Sequence, residues 1–217
     1  MTRSANESAQ RARAAQTATL WTRTARWLHW STALAVVVEV PAGFTMAWTY
    51  LDGLKGGPLA GLHIRASQVH HTLGMILLFT TLFRLCWRWR HPAPALPPEV
   101  SVHGRLLART VQASLYALLL LIPLSGWAAL SALAGGADFP APELWFFGHD
   151  GFGPSGLIPH LVAPRPWNDP LGYGLFARAH VWMLWGGAAL LALHVGGAIK
   201  HHFVDRDRVL LRMIGRK

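Results

Sequence analysis

The chain has 217 residues, of which 52% are hydrophobic and 14% charged, and its formal net charge is +10. A soluble domain carries about a quarter charged residues, so this composition excludes an ordinary soluble protein and suits one membrane domain. Cys86 is the only cysteine, which excludes a disulfide framework and a thiolate metal cluster.

Residues 1–25 are rich in Ala, Arg, Thr and Ser and lack an apolar core followed by a small-residue cleavage site. They read as a disordered tail, not a signal peptide. Residues 26–213 read as a single domain. A hydrocarbon core of roughly 30 Å needs about 20 mostly apolar helical residues. Four windows meet that length, at 28–48, 69–89, 110–132 and 176–198. Breakers lie between them: Asp52-Gly53, Gly56-Gly57-Pro58, the Pro-rich run from Pro92 to Pro98, and the Gly/Pro-rich segment from Gly135 to Pro170. These predict loops.

Residues 1–26 hold five Lys/Arg, residues 84–109 five more, and residues 200–217 six. The other four, Lys55, Arg65, Arg165 and Arg178, fall to the two remaining loops. Positive charge collects on the cytoplasmic side, so an all-α integral membrane four-helix bundle with both termini cytoplasmic is expected. That distribution also accounts for the net charge without a nucleic-acid partner. The connection before the fourth span, about forty residues with no obvious helix, is long for a compact bundle. It contains Trp145-Phe146-Phe147, His149, His160 and Trp167. Two readings stand for it: aromatic residues at headgroup level, or a lid or docking surface.

Twelve histidines are present, and those inside or at the ends of the spans are informative because intramembrane histidine is costly unless paired or ligating. His180 and His194 are fourteen residues apart on one predicted helix. That spacing is roughly 21 Å along the axis and within about 40° of one face. His29 opens the first span on the side where the fourth span ends with His194. His70 opens the second span on the side where the fourth begins with His180. Depth alone therefore predicts two couples, His29 with His194 and His70 with His180. Zinc would want three or four ligands in one small sphere, whereas a six-coordinate haem takes one axial ligand from each side of its ring. Pairs suit haem, and with no Cys-x-x-Cys-His sequence it would be held by coordination and packing.

Gly74, one turn after His70, and Gly186, Gly187, Gly196 and Gly197 either leave room for a porphyrin or pack membrane helices tightly. His71 points about 100° away from His70 and cannot share its ring face. His201 and His202, beyond the last apolar residue, are expected to meet propionates, headgroups or water. Glu39, just before Pro41, is either a proton relay or a neutral acid bonded to the backbone that Pro41 frees.

Several local sequences resemble the bacterial cytochrome b561 family. They are Arg26-Trp27-Leu28-His29-Trp30, His70-His71-Thr72-Leu73-Gly74, Arg84-Leu85-Cys86-Trp87-Arg88, Leu115-Tyr116 followed by Pro123-Leu124-Ser125-Gly126-Trp127, and the ending from Lys200-His201-His202 to Arg212-Met213. The resemblance covers about residues 23–213 and implies a bacterial inner-membrane, multi-pass protein with two b haems on four axial ligands. These map onto His29, His70, His180 and His194, and the glycine four residues after the second-span ligand selects His70 over His71. Gln112 stands where the family often has a histidine, a position not counted as axial, and the loop before the fourth span is longer than usual.

The resemblance also implies transmembrane electron transfer. One expectation is an oxidoreductase that takes electrons from a periplasmic donor such as superoxide and delivers them to ubiquinone. Lys55, Arg65, Arg165 and Arg178, with His63 and His71, would then steer a small anion. The other is a haem-bearing electron-transfer subunit docked to a larger dehydrogenase, with a redox protein as donor. Both have membrane lipid as a partner.

Overall fold

A computed structural model describes residues 21–94, 100–133 and 158–215, and among them there is no strand. Four long helices carry the four apolar windows: α1 (Arg23–Trp48), α3 (Ala60–Arg90), α4 (Val102–Leu133) and α5 (Tyr173–Phe203). Two short ones accompany them, α2 (Tyr50–Lys55) and α6 (Val209–Ile214).

Each long helix outruns its predicted span. Ala60–Gln68 and Val102–Arg109 are polar enough to leave the hydrocarbon yet contain mostly good helix formers, so the backbone ladder continues into the interface. Thirty-one residues rise about 46 Å, close to the full thickness of a bilayer with its headgroups. Pro41 and Pro123 lie inside α1 and α4, positions that membrane helices tolerate.

The expected loop at Asp52-Gly53 is corrected: both residues belong to α2. The chain breaks instead at Gly56, whose φ of 63° and αL conformation end that helix. His63 closes this corner, because its Nδ1 donates to the carbonyl of Met46 at 3.1 Å and lies 3.3 Å from Thr49 Oγ1. Thr49 itself is 1% exposed.

Residues 1–20 of the expected tail, and residues 134–157 with Trp145, Phe146, Phe147 and His149, lie outside the described residues. The described part of the long connection, 158–172, is irregular and fastened to the end of α4. Leu161 N–H donates to Ser131 Oγ at 3.0 Å, Arg165 N–H to the carbonyl of Ala132 at 3.0 Å, and Trp127 Nε1 to the carbonyl of Pro159 at 2.9 Å. The Ala132 carbonyl is one that the end of a helix would otherwise leave unpaired. Asp169 accepts from Leu171 N–H and from Arg165, which together hold its carboxyl below the usual range.

The chain divides into two compact units, one of Met1–Trp30, Phe83–Leu115 and Ala189–Lys217, the other of Ser31–Leu82 and Tyr116–Ala188. In the second, the buried positions are mostly small: Ala66, Thr72, Thr81, Ala128, Ala129 and Ser131. Small residues let membrane helices approach closely. Large apolar side chains such as Leu34, Val37, Phe79 and Leu193 face outward instead. That arrangement exposes more apolar surface than a water-soluble monomer tolerates and suits lipid. Trp48 and Trp89, at the ends of α1 and α3, are exposed as interfacial anchors are.

Candidate functional site

In the second unit His70 on α3 and His180 on α5 face each other, ring centres 6.0 Å apart and planes at 79°. Each presents its Nδ1 to an acceptor. His180 Nδ1 lies 2.8 Å from the carbonyl of Ile122 and 3.1 Å from Ser125 Oγ. A carbonyl only accepts, so the proton sits on Nδ1 and Nε2 keeps its lone pair. His70 Nδ1 lies 3.3 Å from the carbonyl of Glu39 and 3.0 Å from its Oε1, which assigns the same tautomer. Ser125 is turned by donating to the Ile122 carbonyl at 2.7 Å.

Glycines admit both rings. A Cβ built at Gly43 would lie 2.8 Å from His70 Cε1 and 2.9 Å from its Nδ1, and one at Gly126 would lie 3.3 Å from His180 Cε1. Any side chain at position 43 would meet the imidazole below van der Waals contact. Gly74 meets the carboxyl of Glu39 rather than an open space, with a built Cβ 3.3 Å from Oε1. Gly186, Gly196 and Gly197 meet nothing within 4 Å, and Gly187 packs on Leu118 and Ile122.

In the first unit His29 on α1 and His194 on α5 face each other, ring centres 6.1 Å apart and planes at 62°. The Arg84 guanidinium from α3 lies 3.5 Å from His29 Nδ1. Nearby, Trp30 Nε1 donates to the carbonyl of Met213 at 3.3 Å, tying α6 to α1. Arg88 donates to Gln112 Oε1 at 2.9 Å.

Two imidazole nitrogens each about 2 Å from one metal, with ring centres ~1 Å further back, give a centre-to-centre distance of about 6 Å. Both couples have that separation. The donor set suits haem iron, two neutral imidazoles with no thiolate or carboxylate between them among the described residues.

Glu39 turns its Oε1 to His70 Nδ1 at 3.0 Å. His201 meets acids, with Nδ1 2.5 Å from Asp207 Oδ2 and 3.4 Å from Asp205, while Lys200 holds Asp205 at 2.6 Å. Lys55, Arg65, Arg165 and Arg178 are all exposed, but Arg165 is paired with Asp169 at 3.0 Å. His63 is engaged with Met46 and Thr49. Gly43 and Ile122 had no assigned role in the sequence, and Arg84 and Ser125 appeared only inside motifs. Gly43 lies exactly one turn past Glu39, the one local signal that could have marked it.

The sequence model of the family described as prokaryotic cytochrome b561 matches residues 20–216. Cytochrome b561 homolog 2 of Escherichia coli (strain K12) is 30% identical over 190 residues, 87% of this chain and 87% of that protein. The probable superoxide oxidase CybB of Yersinia pestis is 25% identical over 88% of this chain and 93% of its own length. Cytochrome b562 of Cereibacter sphaeroides is 27% identical over 89% and 94%.

Proposed function

This chain belongs to the prokaryotic cytochrome b561 family, and from that premise we propose that it holds two b haems, one between His70 and His180 and one between His29 and His194, and passes electrons across the inner membrane of a bacterium to ubiquinone. Membership of the family makes the chain a haem-containing electron-transfer protein of a bacterial membrane. The single observation that supports the two haem sites is the pair of facing imidazole couples at 6.0 and 6.1 Å.

Haem, when bound, supplies a one-electron couple. The chain's own residues position the ligands. Ile122 and Ser125 fix the rotation and tautomer of His180, Glu39 does so for His70, and Gly43 and Gly126 keep the ring edges clear. The purified chain is expected to carry two haems per polypeptide with b-type reduced-minus-oxidised spectra. A colourless protein made with ample haem supply would sink this reading.

The charge distribution supports an orientation with both termini in the cytoplasm, the tail of residues 1–25 included. An alkaline phosphatase fused after residue 58 is expected to be active and one fused at the carboxyl terminus inactive. The opposite pattern would reverse the topology.

The relative named as a probable superoxide oxidase supports superoxide as the periplasmic donor. Two superoxide ions, one quinone and two protons would give two dioxygen molecules and one quinol. Lys55, Arg65 and Arg178, exposed and, among the described residues, without an acid partner such as Arg165 has in Asp169, would attract the anion. The double variant K55Q/R65Q is expected to lower the rate of superoxide-driven haem reduction several-fold at low ionic strength, the gap closing as salt screens the field. An unchanged rate and salt dependence would remove the steering role. A partner that co-purifies stoichiometrically, with no reduction by superoxide, would favour the docked-subunit reading instead.

A further inference from the structure

The two histidine couples have different groups behind their rings, a carboxyl group at one and a guanidinium at the other. In the second unit the Glu39 side chain is 12% exposed, its Oε1 is 3.0 Å from His70 Nδ1, and its Oε2 has no hydrogen-bond partner among the described residues. The ring is therefore what holds this carboxyl group, and Gly74 leaves the room for it. In the first unit the neighbour of the ring is a cation, Arg84, 3.5 Å from His29 Nδ1.

We propose that Glu39 and Arg84 are positioning residues that set the potentials of the two haems in opposite directions, lowering that of the His70/His180 site and raising that of the His29/His194 site. The inference rests on the haem assignment above. A carboxyl group that accepts the Nδ1 proton makes Nε2 a more basic ligand and favours the ferric state. A ring that gives Nε2 to iron carries its proton on Nδ1, so Arg84 acts on His29 by its charge, which favours the ferrous state. Both effects are strengthened where water is excluded. An electron shared between the sites would rest at the His29/His194 site, the direction needed for a donor on the other side of the membrane.

The test is a spectroelectrochemical titration of the full-length haem-loaded chain, with the single-site variants H180A and H194A assigning each wave. E39Q, which keeps size and an acceptor oxygen, is expected to raise the potential of the His70/His180 haem by at least tenfold in its reduction equilibrium, about 59 mV for one electron, and to leave the other in place. R84Q is expected to lower the His29/His194 haem, and R84K, which keeps the charge, to restore it. A merely structural role would leave both Gln variants at parental potentials. The inference falls if either Gln variant leaves its own haem unmoved, shifts it the other way or strips it from the protein. A parent that lacks two haems would instead overturn the assignment beneath it.

Discussion

Alanine at position 180 is expected to leave the chain with roughly half of its haem, the surviving half being that of His29 and His194. His180 is the ring that faces His70 across the couple, and His70 alone offers one axial ligand where a six-coordinate iron needs two. The loss should be confined to the site. The Ile122 carbonyl that His180 uses is also bonded by Ser125 at 2.7 Å, so removing the ring orphans no acceptor there. A haem-to-protein ratio near one, with the remaining potential equal to one of the two parental waves, is the expected measurement. Retention of both haems would mean that His180 is not a ligand, and His70 would need another partner.

A second large effect is expected from a residue that coordinates nothing. Valine at position 43 would place its Cβ about where His70 Cε1 and Nδ1 already press, 2.8 and 2.9 Å away, and would add two methyl groups beyond it. Overpacking of this kind costs about 1–3 kcal/mol. The cheapest relief is to turn the imidazole, which breaks its contact with Glu39 and carries Nε2 away from His180. G43V should therefore lose the same haem as H180A while keeping the one at His29 and His194. Gly61, where an added Cβ meets nothing within 4 Å, supplies the control, and G61A should keep both. A G43V protein with two haems at parental potentials would show that His70 is not held where the geometry puts it.

Much of this was legible along the chain because it is one-dimensional. A membrane span announces itself by about twenty apolar residues, and the four windows all lie inside helices. Histidine within such a window is costly enough to be informative alone, and depth along a helix follows from residue number, so the couples could be proposed by counting. The loop at Asp52-Gly53 was misjudged because a Gly and an Asp weigh against a helix only weakly, while the αL turn that ends it needs Gly56. The lengths of α3 and α4 were underestimated because the apolar window ends where hydrocarbon ends, not where the backbone ladder does.

What stands behind each ring was decided by tertiary structure alone. His70 and Glu39 are 31 residues apart, His180 and Ile122 58, and His29 and Arg84 55. Which of these meet depends on how each helix is rotated about its axis and which rotamer its side chains take, and nothing in local composition records either. Composition and spacing determined that the chain has four helices long and apolar enough to cross a membrane and that imidazoles fall at two levels along them. Only the packing of α1, α3, α4 and α5 decided that a carboxyl group backs one ring, a carbonyl and a hydroxyl another, and a guanidinium a third, because those contacts arise between helices and each helix is stable in its own hydrogen bonds whatever face it turns to the next.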